Sequence, residues 1–169
     1  LESPLVLVGG DRFILRAYSP SVTIAGGSVL DPIVPRIGIR TTTGRQRFRR
    51  LDRLVGSADA LAPETRALEL LLDEAGMTGV PLASLVYRLG LSPSAARIVA
   101  AHIEEQGRAI RVERCLVAAA TVASLSDAIV ESLAECHRAQ PLADGLPREQ
   151  VRERLFAHAA AGLFDRVIA

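Results

Sequence analysis

The apolar residues change their spacing once along this chain, and that change limits the folds open to it. Up to residue 31 they come in short runs cut by turn residues; beyond residue 61 they recur every three or four positions. Short runs between glycines, prolines and serines suit strands, whereas a three-to-four spacing suits one face of a helix. The expected fold is mixed α and β, mainly α, with partial β-barrel strands first and tandem helical units after.

The β part occupies residues 1–35. Leu5-Val6-Leu7-Val8 is an apolar run ended by the turn cluster Gly9-Gly10-Asp11. Arg12-Phe13-Ile14-Leu15-Arg16 follows and is broken at Ser19-Pro20. Val22-Thr23-Ile24 precedes the pair Gly26-Gly27, and Val29-Leu30-Asp31-Pro32 closes the series. So few strands cannot cover both of their faces and call for a partner sheet or barrel. The glycine pair suits a bulge or a barrel corner. An open strand edge recruits other strands, so this region is expected either to self-associate with a second copy or to stay mobile.

Residues 36–60 are basic. Arg36, Arg40, Arg45, Arg47, Arg49, Arg50 and Arg53 face one acid, Asp52, over positions 36–53. The window is expected to be a linker running into a short helix near Leu51–Val55. Its seven arginines are the candidate nucleic-acid contacts, because a guanidinium matches a phosphate with paired hydrogen bonds.

Residues 61–118 have the order of a winged helix. Leu68, Leu71 and Leu72 mark a first helix, and Leu82, Leu85, Val86 and Leu89 a second. Ser92 is placed to cap a third, with Pro93 in its first turn and Val99 and Ile103 on its inner face. Ala109–Val112 and Cys115–Ala118 then form a hairpin. The expected core comprises Leu68, Leu71, Leu72, Leu85, Leu89, Val99 and Ile103. Residues 119–169 open a second, truncated unit of the same kind. Its long helix, Ala119–Ala139, carries Val122, Leu125, Ile129, Leu133 and Cys136 on one stripe. Another helix starts after Pro147 and is expected to run on through the alanines at 159–161.

Composition removes several functions. All 20 basic residues are arginine, so no lysine can complete a phosphate-binding P-loop. No G-x-S-x-G or H-E-x-x-H motif occurs, and no catalytic residue is expected. His102, His137 and His158 lack metal-ligand spacing to Cys115 or Cys136, so neither a metal nor a cofactor is expected here; the two thiols read as buried and reduced. No stretch is long and apolar enough for a membrane span. The chain starts at Leu1 rather than Met, which suggests a piece of something longer. At the end of the long helix, His137 suits capping or turn hydrogen bonding better than a ligand role.

The segment Gly10–Arg16, with Ser19-Pro20, Thr23-Ile24-Ala25-Gly26-Gly27 and Val29-Leu30-Asp31-Pro32, resembles the end of the third, β-barrel domain of selenocysteine-specific elongation factors. Where that family usually shows a glycine triplet, this chain has Ala25-Gly26-Gly27. His137, Pro141 and Gly145-Leu146 match the start of the family's second winged helix. The resemblance implies a cytoplasmic parent protein that binds GTP with magnesium and carries selenocysteinyl-tRNA to ribosomes paused at a recoded UGA. It also implies that the parent's last winged helix grips a hairpin in the mRNA. By the same resemblance, this chain is a non-catalytic, RNA-associated joint lacking the GTPase domain and the RNA-gripping end. The other reading is a winged-helix DNA-binding transcriptional regulator. Against it, the third helix pairs Arg97 and His102 with Glu104 and Glu105, a poor electrostatic footprint for DNA.

Overall fold

The computed structural model describes residues 4–33, 40–52, 62–142 and 144–169. The fold is mixed α and β and mainly α, with small sheets. Two compact units divide it: the residues up to Leu68 together with Leu82–Val99, and Glu69–Pro81 together with Ala100–Ala169.

In the first unit, β1 (Arg12–Arg16) and β2 (Thr23–Ser28) form an antiparallel hairpin. Phe13 lies opposite Gly27 and Ile14 opposite Gly26. The register slips between Leu15, opposite Ala25, and Arg16, opposite Thr23. The bulge thus sits at Ile24, not at the glycine pair expected to hold it. Gly27 is used differently: a Cβ there would press on the ring of Phe13. Leu5–Val8, expected as a strand, is not one. Its end is tied instead by a turn, in which the Val8 N–H donates to the Asp11 carboxylate and the Asp11 N–H returns to the Val8 carbonyl.

Helix α1 (Thr42–Asp52) begins nine residues before the expected start at Leu51. Thr41 provides the cap: its Oγ1 accepts the Gly44 N–H at 3.0 Å and its carbonyl accepts the Arg45 N–H at 3.0 Å. The inward face is Gly44, Arg47 and Leu51, a helical spacing with a single large apolar member. Residues 53–55, the rest of the expected short helix, lie outside the described residues.

Helix α2 (Ala62–Ala75) passes from the first unit into the second and buries Leu68, Leu71 and Leu72. After it come the two-residue strand β3 (Val80–Pro81), α3 (Ser84–Arg88) and α4 (Pro93–Glu105). Ser92 Oγ accepts the Ala95 N–H at 3.2 Å, as its capping position predicts. The inner stripe of α4 is Ala96, Val99, Ala100 and Ile103, while Ile98 faces out. Of the expected core, Leu68, Leu71, Leu72, Leu85, Val99 and Ile103 are buried, and Leu89 is only half-buried.

In the second unit β3, β5 (Cys115–Ala118) and β4 (Ala109–Val112) make an antiparallel sheet in that order. Helix, short strand, two helices and hairpin is the order of a winged helix. Helix α5 (Ala119–Ala139) covers the span its stripe predicts. It packs with α6 (Arg148–Leu155) and α7 (Leu163–Ile168) around Val112, Val117, Leu125, Val151, Phe156, Leu163 and Phe164. Contrary to expectation, α6 stops at Leu155. Phe156 turns into the core, and the Ala160 N–H donates to the Met77 carbonyl rather than extending a helix. Cys115 and Cys136 are free thiols, half-buried rather than buried. No helix among the described residues is long and apolar enough to cross a membrane.

Candidate nucleic-acid interface

From Thr42 to Asp52 the basic segment is a helix, and a helix sorts its arginines by face. Arg45 and Arg49, one turn apart on α1, are exposed, as are Arg50 and, in the preceding turn, Arg40. Arg36 and Arg53 lie outside the described residues. Arg47 is different: it is 5% exposed and points inward. Sequence reasoning grouped it with its neighbours as a phosphate contact, but its guanidinium is committed inside the protein, 2.5 Å from the Asp31 carboxylate.

Asp31 is the residue that sequence reasoning missed. Its side chain is 2% exposed and receives donors from three places. Arg88, at the end of α3, grips it with two nitrogens, Nε at 3.2 Å from Oδ1 and a terminal nitrogen at 2.6 Å from Oδ2. Arg47 adds its bond to Oδ2, and the Ile33 N–H donates to Oδ1 at 3.0 Å. Burial alone would push the carboxyl up. The hydrogen bonds from Arg88, Arg47 and Ile33, with the charge of Arg88, outweigh it and hold Asp31 below its ordinary value. A signal was available: Asp31 is the acid immediately upstream of a window with seven arginines.

Arg111 pairs with Glu104 at 2.7 Å, and Arg108 pairs with Glu69. Arg97, in the first unit, and Arg114 are exposed. On α1, three exposed arginines, Arg45, Arg49 and Arg50, fall within six positions.

Residues 1–36 match the model of the family described as "Selenocysteine-specific elongation factor, beta-barrel domain". Residues 130–169 match the one described as "Elongation factor SelB, winged helix". A relative named selenocysteine-specific elongation factor, from Desulfomicrobium baculatum, is 27% identical over 151 residues. That alignment covers 88% of this chain and 22% of the relative, so the chain spans about a fifth of that protein's length. With a barrel match at one end, a winged-helix match at the other and a relative aligned across most of the span between, the chain is similar to selenocysteine-specific elongation factors along most of its length.

Proposed function

We propose that this chain is the non-catalytic joint of a cytoplasmic elongation factor that delivers selenocysteinyl-tRNA to the ribosome at recoded UGA codons. Within it, the exposed arginines of α1 hold RNA phosphates. The observation that carries this reading is the outward row Arg45, Arg49 and Arg50, with Arg40 beside it, on a helix whose inward face is anchored. Contacts of this kind grip a backbone without reading bases. GTP, magnesium and the mRNA hairpin are assigned to the parent protein's other parts, and no cofactor is assigned here.

If the four exposed arginines each neutralise a phosphate, log affinity for structured RNA falls against log salt with a slope of about −3 to −4, at roughly 0.7–0.9 per contact. Replacing Arg45, Arg49 and Arg50 together by Ala is expected to flatten that slope by about 2 to 3 and to weaken unrelated RNAs alike. Arg97→Ala should leave it nearly unchanged. A DNA-reading regulator would behave in the opposite way, losing sequence preference on Arg97→Ala and keeping it in the triple variant. The absence of lysine leaves no P-loop, so calorimetric titration with GTP is expected to show no saturable site; a single saturable site would sink the non-catalytic assignment.

The hairpin is assigned a pairing role. Ile14 is 70% exposed, Leu15 52% and Ile24 68%, an apolar surface that a barrel would cover. The isolated chain is expected to pair with a second copy through these strands. Light scattering should then report a mass that rises with concentration, and a monomer at every concentration would refute the pairing.

A further inference from the structure

The first unit contains two separate attachments that land on the same turn of α3. One is a side-chain knot. Asp31 is bound by Arg47, 16 residues away in sequence, and by Arg88, 57 residues away. The side chains of Asp31, Arg47 and Arg88 are 2%, 5% and 14% exposed, so these charges have left water and depend on one another. The other attachment is backbone on backbone. The Gly9 N–H donates to the Tyr87 carbonyl at 2.7 Å. That carbonyl belongs to the last turn of a short helix, where carbonyls lack a partner within the helix. Gly9 and Gly90 meet so closely that a Cβ on Gly90 would overlap the Gly9 carbonyl oxygen, and one on Gly9 would overlap the Arg88 carbonyl oxygen. Gly90 also sits at φ +67, the left-handed region that favours glycine.

Both attachments leave from the same end of the hairpin. The Gly10 N–H donates to the Val29 carbonyl and the Val29 N–H to the Asp11 carbonyl, each at 2.8 Å. Gly9 and Asp31 therefore stand on paired segments, held at a fixed spacing, and both reach residues 87–90. A single attachment point would leave the hairpin free to swivel about it; two points on a rigid base remove that freedom. The guanidinium of Arg47 brings α1 into the same assembly.

We propose that the Asp31–Arg47–Arg88 knot and the Gly9–Gly90 contact form a two-point latch that joins the barrel terminus, the basic helix α1 and helix α3 into one rigid body. The device does not depend on RNA binding. Its consequence is mechanical: a displacement of the barrel end is passed undamped to the start of the helix-turn-helix and to the arginine row of α1.

Spin labels at Ser21, beyond the hairpin's first strand, and at Ser94, in the first turn of α4, would test the latch in the full chain with Cys115 and Cys136 replaced by Ser. Both label sites are exposed. Pulsed dipolar spectroscopy is expected to give one narrow distance distribution for the parent and for Asp31→Glu, which keeps the carboxylate. Asp31→Asn and, separately, Gly90→Ala should each broaden it at least about twofold while helical content by circular dichroism stays unchanged, because each releases one of two restraints. A broad distribution in the parent overturns the latch, as does a narrow one that survives both substitutions. If either variant fails to fold, hydrogen exchange on the parent decides. The Gly9 amide should be protected on the order of 100-fold or more over an unstructured peptide, and exchange at the unstructured rate would overturn the proposal.

Discussion

Asp31→Ala is expected to destabilise the first unit by about 3–5 kcal/mol, measured as a fall in the urea midpoint with little change in slope. Arg47 is 5% exposed and Arg88 14%, so removing the carboxylate takes the shared acceptor from two largely buried guanidinium groups and leaves their like charges close together. The cost comes from these uncompensated buried charges more than from the lost hydrogen bonds. The same carboxylate gives the stability a definite pH dependence. Its folded-state pKa is held below the ordinary value of 3.8. A depressed acid contributes stability that is fully present above its unfolded value and is lost as pH falls through the folded one. The contribution should therefore be intact down to about pH 4 and fade below it. In Asp31→Ala that part of the acid dependence should vanish. A variant with the parent's midpoint near neutrality, or with an unaltered acid limb, would show that the pairing does not hold the unit together.

Asp31 also marks where the sequence stopped being readable. Apolar periodicity predicted α5 from its stripe of Val122, Leu125 and Ile129, and capping chemistry predicted the start of α4 from Ser92. These features are local: the residues that decide them lie within a turn or two. Helix α1 was placed too late because its inward face carries Arg47, and no hydrophobic pattern marks an arginine as interior. What turns it inward is an acid 16 residues upstream and a partner on α3. Leu5–Val8 failed for a related reason. An apolar run becomes a strand only where a neighbouring strand can take its hydrogen bonds, and here Gly9, just after the run, is bonded to α3 instead. The two residues of β3 were too few to show any alternation. The candidate arginines were legible as a charge cluster, but the sorting of Arg47 from Arg45, Arg49 and Arg50 needed the helix phase and the position of Asp31. The barrel motif over Gly10–Pro32 was legible as a pattern of residues, and the family match over residues 1–36 covers it.

Phe156→Ala should cost about 3–5 kcal/mol in the second unit, the range for removing a buried aromatic side chain. Sequence reasoning ran a helix through this position; in the structure Phe156 ends α6 and turns inward, 5% exposed. Its ring meets Phe164 edge to face, with centroids 5.2 Å apart. The core that the two rings share is assembled from β4, β5, α5, α6 and α7, with Val112, Val117, Leu125, Val151 and Leu163 as its other buried members. Two effects add. The transfer of a large apolar side chain out of water is lost, and the hole left behind is bounded by three helices and a sheet that cannot all close on it. Phe156→Leu keeps most of the volume and should lose much less, on the order of 1–1.5 kcal/mol, mainly the ring contact with Phe164. The contrast between the two substitutions separates packing from helix propensity. If residues 156–161 were a continuous surface helix, as local propensity alone suggests, Ala would be the better helix former and Phe156→Ala would be neutral or stabilising. Chemical denaturation of both variants, followed by far-ultraviolet circular dichroism, therefore tests whether the turn at Phe156 closes this core.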